Sequence, residues 1–353
     1  MNARASTGSL LRRGTIGLTL PAIIALSACA SERSAQEPPD DLRTVKVYVA
    51  VPTMNTALIN LALAEDLGKK HGIELEVVKS GAGSTNQVAA LRSGQFDFAG
   101  SGTATVADAN AEGAGLVIVG GTGGLINNLV LNTDVAADLD VTADDPVEER
   151  IRALEGMTIA TSGPGSTSNI SLRLILEKYG LTPDEDVTIA PVNDQSAIVA
   201  GIRRGQYDGS FYGVGVADVN VADGSGELWM SLPRGDIEDF DDLVGVVLIS
   251  SDTFVKENPE IVEAFHATLA DAEAMVRDDP EAAGRALKES SFPDVGDEEF
   301  DLAWEQAQNG FPEGAYFTAA NWETFMDLYQ SSSEKDYTQL SYEETVATPA
   351  RGE

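Results

Sequence analysis

The chain has 353 residues, 43% of them hydrophobic, with 57 acidic against 23 basic side chains and a formal net charge of −34. That length and hydrophobic content suit two domains or lobes and exclude a disordered chain. The charge excludes nucleic acid as a partner, because a phosphate backbone demands basic patches; dense carboxylates describe a strongly hydrated surface, of the kind that also suits high salt.

Residues 1–28 read as an export signal. Arg4, Arg12 and Arg13 form a basic start, and Thr15 to Ala25 is an apolar run too short for an ordinary spanning helix. Leu26-Ser27-Ala28-Cys29 resembles a bacterial lipobox, in which the Cys is lipidated and becomes the new N-terminus. Cys29 is the only cysteine, so the mature chain has no disulfide. Residues 29–43 are polar and Pro-containing and read as a flexible tether. The expectation is a body held by a lipid at Cys29 to the outer face of the bacterial cytoplasmic membrane.

Further on, strands and helices alternate. Val45 to Val51 is a buried-strand pattern, and Pro52-Thr53-Met54-Asn55 is a loop into a helix over about 56–70. Ile73 to Lys79 alternates apolar and charged residues, as a half-exposed strand does. A Gly/Ser loop containing Gly83 and Ser84 opens a helix that ends at Gly94. Phe96 to Ala99 is a strand, Ser101-Gly102-Thr103 opens the next helix, and Leu116 to Val119 is a strand before a glycine-rich loop with Gly121 and Thr122. Leu129 to Asn132 reads as a crossover into a second lobe. There Thr158 to Ala160, Val187 to Pro191 and a segment ending at Tyr212 are strands, and Gly245 to Ser250 is a return crossover. Asp252 onward is helical, and residues 331–353 read as a loose polar tail. This alternation predicts an α/β protein with mainly parallel sheets: lobe I over 44–130 plus 246–330, lobe II over 131–245, and hinges near Asn128–Asp134 and Gly245–Ser250.

One unit occurs twice. Leu91-Arg92-Ser93-Gly94-Gln95-Phe96-Asp97 and Ile202-Arg203-Arg204-Gly205-Gln206-Tyr207-Asp208 each end a helix in basic residues and Gly, then start a strand. Basic residues suit the negative end of a helix and Gly the left-handed position beyond it, so these residues read as architecture that marks two equivalent walls.

Three stretches carry a family resemblance: Asn86 to Asp97; Leu154-Glu155-Gly156-Met157-Thr158-Ile159-Ala160 followed by Gly165-Ser166-Thr167-Ser168; and Ser251-Asp252-Thr253-Phe254-Val255-Lys256-Glu257-Asn258-Pro259-Glu260. Over about residues 43 to 330 the chain resembles the solute-binding proteins of ABC importers, in the group that binds nitrate, sulfonates, taurine and thiamine-precursor pyrimidines. The resemblance implies a type II periplasmic-binding-protein-like fold, a small-molecule ligand held between two lobes, an ABC permease as partner, no cofactor and a monomer. A ligand-sensing partner of a membrane receptor would share the same fold.

Ligands of such sheets sit beyond the carboxyl ends of the strands. The candidates are therefore Thr53, Met54, Asn55, Gly83, Ser84, Ser101, Gly102, Thr103, Gly121 and Thr122 in lobe I, and Ser162, Ser166, Thr167, Asn193 and Tyr212 in lobe II. Ser, Thr and Gly at helix N-termini offer free N–H groups to a polar or anionic molecule, and equally cap those helices. The loops are poor in basic side chains; Arg92, Arg203 and Arg204 fall at helix C-termini. Asp194 reads as a cap and Asp218 as a solvated helix residue, although either suits an amine. An enzyme is disfavoured: His71 and His266 are the only histidines, and no nucleophile, metal or phosphate-loop spacing is present.

Overall fold

The computed structural model describes residues 42–49, 52–78, 84–240, 242–330 and 335–352. Cys29, the export signal and most of the tether lie outside the described residues. Those from Leu42 onward belong to one compact unit.

Alternation makes the first strand. In β1 (Arg43–Tyr48), Val45 and Val47 are buried while Thr44 and Lys46 face solvent. The chain continues through α1 (Ala57–Ala64), β2 (Ile73–Val78), α2 (Ser84–Arg92), β3 (Phe98–Gly102), α3 (Thr103–Ala111) and β4 (Leu116–Gly124). A second run follows: β5 (Asn127–Asn132), α4 (Thr133–Ala137), α5 (Val147–Arg152), β6 (Thr158–Thr161), α6 (Thr167–Lys178), β7 (Thr188–Pro191), α7 (Gln195–Arg203), β8 (Gly209–Gly213), α8 (Asp218–Ala222) and β9 (Gly226–Ser231). β10 (Val244–Ser251) then leads into α9 (Asp252–Glu257), α10 (Pro259–Asp278), α11 (Pro280–Ser291), α12 (Asp297–Ala307), α13 (Ala319–Tyr329) and α14 (Tyr342–Thr345).

Among the described residues, ten strands form two sheets of the same design, ordered β2-β1-β3-β10-β4 and β7-β6-β8-β5-β9. In each, four strands run in one direction and three of them pair directly in parallel, as the alternation with helices predicts. Each sheet also holds one strand that enters from the other half of the sequence and pairs antiparallel on both sides: β10 in the first and β5 in the second. The result is two mixed sheets joined by strand exchange. Asn128–Asp134, expected as a crossing, lies in β5 and the start of α4; the chain leaves the first sheet at Gly124. Gly245–Ser250 likewise lies inside β10, and the return passes through 232–243.

Separate apolar clusters underlie the sheets. Under the first, Phe98 of β3 stacks on Phe265 of α10 with centroids 3.9 Å apart, beside Leu58, Leu61 and Leu269. Under the second, Ile159, Leu172, Ile175, Phe211 and Trp229 pack together. Each such side chain contributes about 1.5–3 kcal/mol by leaving water.

Two expectations change. The glycine-rich stretch after Val119 is strand, not loop: β4 runs on through Gly124 and pairs with β10. A Cβ on Gly121 would stand 2.6 Å from the Tyr316 carbonyl oxygen, so the missing side chain lets the C-terminal segment lie against the strand. Nor is the end of the chain loose over 335–352. Tyr337 is fully buried and donates a hydrogen bond to Asp108 at 2.7 Å, while Val346 bridges to Ile118 of β4. Its polar composition hid the few apolar residues that dock it. The C-terminal helices also reach both sheets: Phe325 and Tyr329 of α13 belong to the second cluster, and the Tyr329 hydroxyl bonds to that of Ser171 in α6.

Candidate functional site

Among the described residues, the strand ends of the two sheets meet at two places. The first is built on α6. After β6, Gly165 takes a left-handed turn at φ +80°, which sets Ser166 as the N-cap. The Ser166 hydroxyl accepts from the Asn169 N–H at 3.3 Å and bonds to the Ser162 hydroxyl. Asn193, in the loop after β7, accepts from the Gly163 N–H at 3.1 Å. Ser162, Ser166 and Asn193 are thus one interlocked loop system whose side chains hold its backbone.

Thr167, the first residue of α6, faces the first sheet. A Cβ on Gly102 would lie 2.7 Å from the Thr167 hydroxyl oxygen, and one on Gly245 would lie 3.5 Å from its methyl carbon. Glycine at 102 therefore permits this approach. The Thr167 hydroxyl is buried and has no hydrogen-bond partner. Beside it, Asn127 donates to the Ser168 hydroxyl at 2.8 Å and ties β5 to the same helix end.

The second meeting place is the loop after β1. Thr53 caps a short 3-10 turn, its N–H donating to the Thr56 hydroxyl at 3.0 Å. Met54 is buried, and Asn55 stands between the sheets: its amide nitrogen is 3.0 Å from a Cβ position on Gly213 of β8, and its amide oxygen is 3.9 Å from one on Gly123 of β4. That oxygen is buried and lacks a partner. A buried acceptor without a donor costs about 1–3 kcal/mol, so Asn55 and Thr167 are the side chains best placed to gain from an added group.

The other candidates divide. Thr103 donates to the Val244 carbonyl at 2.6 Å and Thr122 to the Val246 carbonyl at 3.3 Å. Both fasten β10 into the first sheet. Gly121 lies under Tyr316, away from the strand ends. Ser101 pairs with Val247 within the sheet, its hydroxyl 3.5 Å from the Gly102 carbonyl. Tyr212 packs against the cluster of Ile198 and Val216, and burial pushes its hydroxyl pKa up. Ser84 opens α2, and Gly83 lies outside the described residues.

Asp218 departs from its reading as a solvated residue. It is 1% exposed, its Oδ1 accepting from Asn128 at 2.8 Å and Gln306 at 3.0 Å, its Oδ2 from the Gly215 N–H at 2.7 Å. Its side-chain donors lie 90 and 88 positions away, so no local pattern exposes the network. Asp194 is a cap as read, accepting from the Ala197 N–H at 3.2 Å.

Charge near the strand ends is dipolar rather than cationic. Arg203 pairs with Asp223 at 2.8 Å and Arg173 with Asp184 at 2.8 Å, both outside the meeting places. The N-terminus of the 12-residue α6 brings N–H groups and a partial positive charge there. His71 contacts Asp271 at 3.1 Å, and His266 the Val119 carbonyl at 3.1 Å. Among the described residues no cluster of three or more His, Cys, Asp or Glu is placed to hold a metal, and no helix is long and apolar enough to cross a membrane.

The model of a protein family described as NMT1/THI5 like matches residues 55–283. Among solved structures, the periplasmic aliphatic sulphonate binding protein SsuA of Escherichia coli is similar with a TM-score of 0.62 at 16% identity, over 85% of this chain and 97% of that one. The alkanesulfonate-binding protein SsuA of Xanthomonas axonopodis pv. citri, bound to MOPS, gives 0.62 at 19% identity, over 89% and 98%. The periplasmic nitrate-binding protein NrtA of Synechocystis PCC 6803 gives 0.56 at 19% identity, over 75% and 69%. At these identities the likeness is one of fold. No curated protein matches the chain.

Proposed function

The chain belongs to the NMT1/THI5-like family, and from that premise we propose that it is an exported solute-binding protein. It captures a small polar or anionic organic molecule between two lobes and delivers it to an ABC importer. In this reading lobe I is built on the first sheet, with β10 whole in it, and lobe II on the second, with β5 whole in it; Cys29 is lipidated and the body works as a monomer outside the cytoplasmic membrane. The observation that carries it is the meeting of the strand ends: Asn55 against Gly213, and Thr167 against Gly102. Each contact joins the two sheets where ligands of such sheets bind. The names of SsuA and NrtA, binding proteins for sulfonate and nitrate, support a small solute. Closing one lobe on the other would be the signal a permease reads.

A thermal-shift screen against taurine, alkanesulfonates, nitrate, bicarbonate and pyrimidines tests this. A ligand at 100 times its Kd should stabilise the protein by about 2.7 kcal/mol. Replacing Ser166 and Thr167 together with bulky apolar residues should abolish that shift in a protein that still folds. A screen with no shift removes the ligand class, and an unchanged shift in the double variant removes the α6 loop from the site.

A further inference from the structure

Helix α13 starts on one sheet and ends on the other. Its largest side chains fall at 322, 325 and 329, a spacing that puts them on one face. Trp322 belongs to the cluster of Leu116, Ile118, Val244 and Val247, residues of β4 and β10 in the first sheet. Asn321 beside it donates to the Asp242 carbonyl of the return segment at 2.7 Å. Phe325 and Tyr329 belong instead to the cluster of Leu172, Ile175 and Phe211 under the second sheet. The rings follow one another along the helix, with centroids 6.1 Å apart from Trp322 to Phe325 and 4.9 Å apart from Phe325 to Tyr329.

The far end of this stripe touches the candidate site. Tyr329 is 1% exposed; its hydroxyl bonds to that of Ser171 and lies 3.5 Å from the Thr167 carbonyl. Thr167 and Ser171 are one turn apart at the start of α6, so a single phenol holds the first turn of that helix. It is the turn whose Thr167 side chain stands against Gly102 and Gly245 of the first sheet. The segment after α13 ties the same stripe back to the first half of the chain. Phe325 stacks on Tyr337 at 5.8 Å, and Tyr337 donates to Asp108 of α3, the helix that Thr103 opens. An aromatic column therefore runs from β4, β10 and α3 to α6. No water reaches the hydroxyl pair at its end, so moving α6 away would leave that pair without a substitute partner.

We propose that Tyr329 is a positioning residue of the ligand site, and that α13 is a strap that holds α6, and with it the second lobe, closed on the first. The inference rests on the solute-binding reading, in which closure around a solute is the event to be controlled. Cutting the bond between Tyr329 and Ser171 leaves the apolar column in place and frees the first turn of α6 to swing out.

The test is a distance measurement between two spin labels in the whole protein without ligand. Glu76→Cys in β2 and Thr188→Cys in β7 put exposed labels on the sheet edges farthest from the two crossings, and Cys29→Ser removes the native thiol. The parent should give a short distance as its main population. Tyr329→Phe should add a longer one and lower the ratio of short to long about fivefold, the contribution of one hydrogen bond. Ser171→Ala leaves the phenol only its long contact to Thr167; it should shift the ratio the same way and serves if Tyr329→Phe does not fold. The double variant should match Tyr329→Phe, because no further bond is left to cut. Variants that melt earlier with an unchanged distance distribution would make the pair core packing alone, and a parent as open as the variants would leave the strap nothing to hold. Either result overturns the proposal and leaves the solute-binding reading standing. That reading fails separately, in the ligand screen, which these ligand-free distances do not enter.

Discussion

Asp208 stands to Thr158 as Asp97 stands to Lys46. The Asp97 carboxylate accepts the Lys46 N–H at 2.8 Å while its own N–H donates to the Lys46 carbonyl at 2.8 Å. Asp208 makes the same two bonds to Thr158, at 2.7 and 3.0 Å. Both acids lie just before the third parallel strand of a sheet and clasp the first. Replacing either with Ala leaves a strand N–H without its charged acceptor and should cost about 1–2 kcal/mol in urea unfolding. Asn, which keeps an acceptor oxygen, should cost less. Equal losses for Ala and Asn would contradict this role.

Gly121 and Gly100 separate a packing glycine from a permissive one. A Cβ on Gly121 meets the Tyr316 carbonyl at 2.6 Å, whereas the nearest atom to one on Gly100 is Leu248 Cδ2 at 3.8 Å. Gly121→Ala should destabilise by about 1–3 kcal/mol, since backbone has to shift. Gly100→Ala should stay within about 0.5 kcal/mol. Thermal melts of the two variants decide the matter, and a neutral Gly121→Ala would mean that the C-terminal segment moves away freely.

Asn55 should behave as a binding residue and not as a structural one. Its amide oxygen has no partner to lose, so Asn55→Ala should not destabilise the fold, the relief of an unpaired buried acceptor offsetting the lost packing. It should weaken ligand binding by about tenfold, near the upper range for one hydrogen bond. Calorimetry with any ligand from the screen measures both, and unchanged affinity would remove Asn55 from the site.

His266 makes stability depend on pH. Burial pushes its pKa below the usual histidine range, with the contact to Val119 opposing only in part. The unfolded chain therefore takes up this proton near pH 6.5 while the folded chain stays neutral, so the group removes stability as pH falls through 6.5. His266→Asn, with an amide to serve Val119, should flatten that loss between pH 7.5 and 5. Melts across this range compare the slopes, and identical slopes would show that His266 does not titrate differently on unfolding.

The segment 335–352 should contribute to stability. Tyr337→Phe loses the bond to Asp108 and should cost about 1 kcal/mol. Truncation after residue 330 also uncovers β4 at Ile118 and should lower Tm further. An unchanged melt after truncation would restore the view of a loose tail.

What the amino-acid sequence determined by itself was the local and the repeated. Alternation in Val45 and Val47 makes a strand, Ser166 and Asp194 cap helices, and Gly94 and Gly205 end them; these are decided by neighbours a few positions apart. The doubled helix-to-strand unit was legible for the same reason, and it located both sheets. Tertiary structure decided which side chains remain free at the strand ends. Thr103, Thr122 and Thr167 look alike in sequence, each a small hydroxyl beside glycine-rich chain. Only the strand exchange gives Thr103 and Thr122 the carbonyls of β10 and leaves the Thr167 hydroxyl buried without one. Asp218 is the sharpest case, because an acid in a short helix reads as solvated until Asn128 and Gln306 arrive from distant parts of the chain. Hydrogen bonds between residues so far apart leave no periodic trace in sequence, and they select the free groups of the candidate site from the many polar ones the strand ends carry.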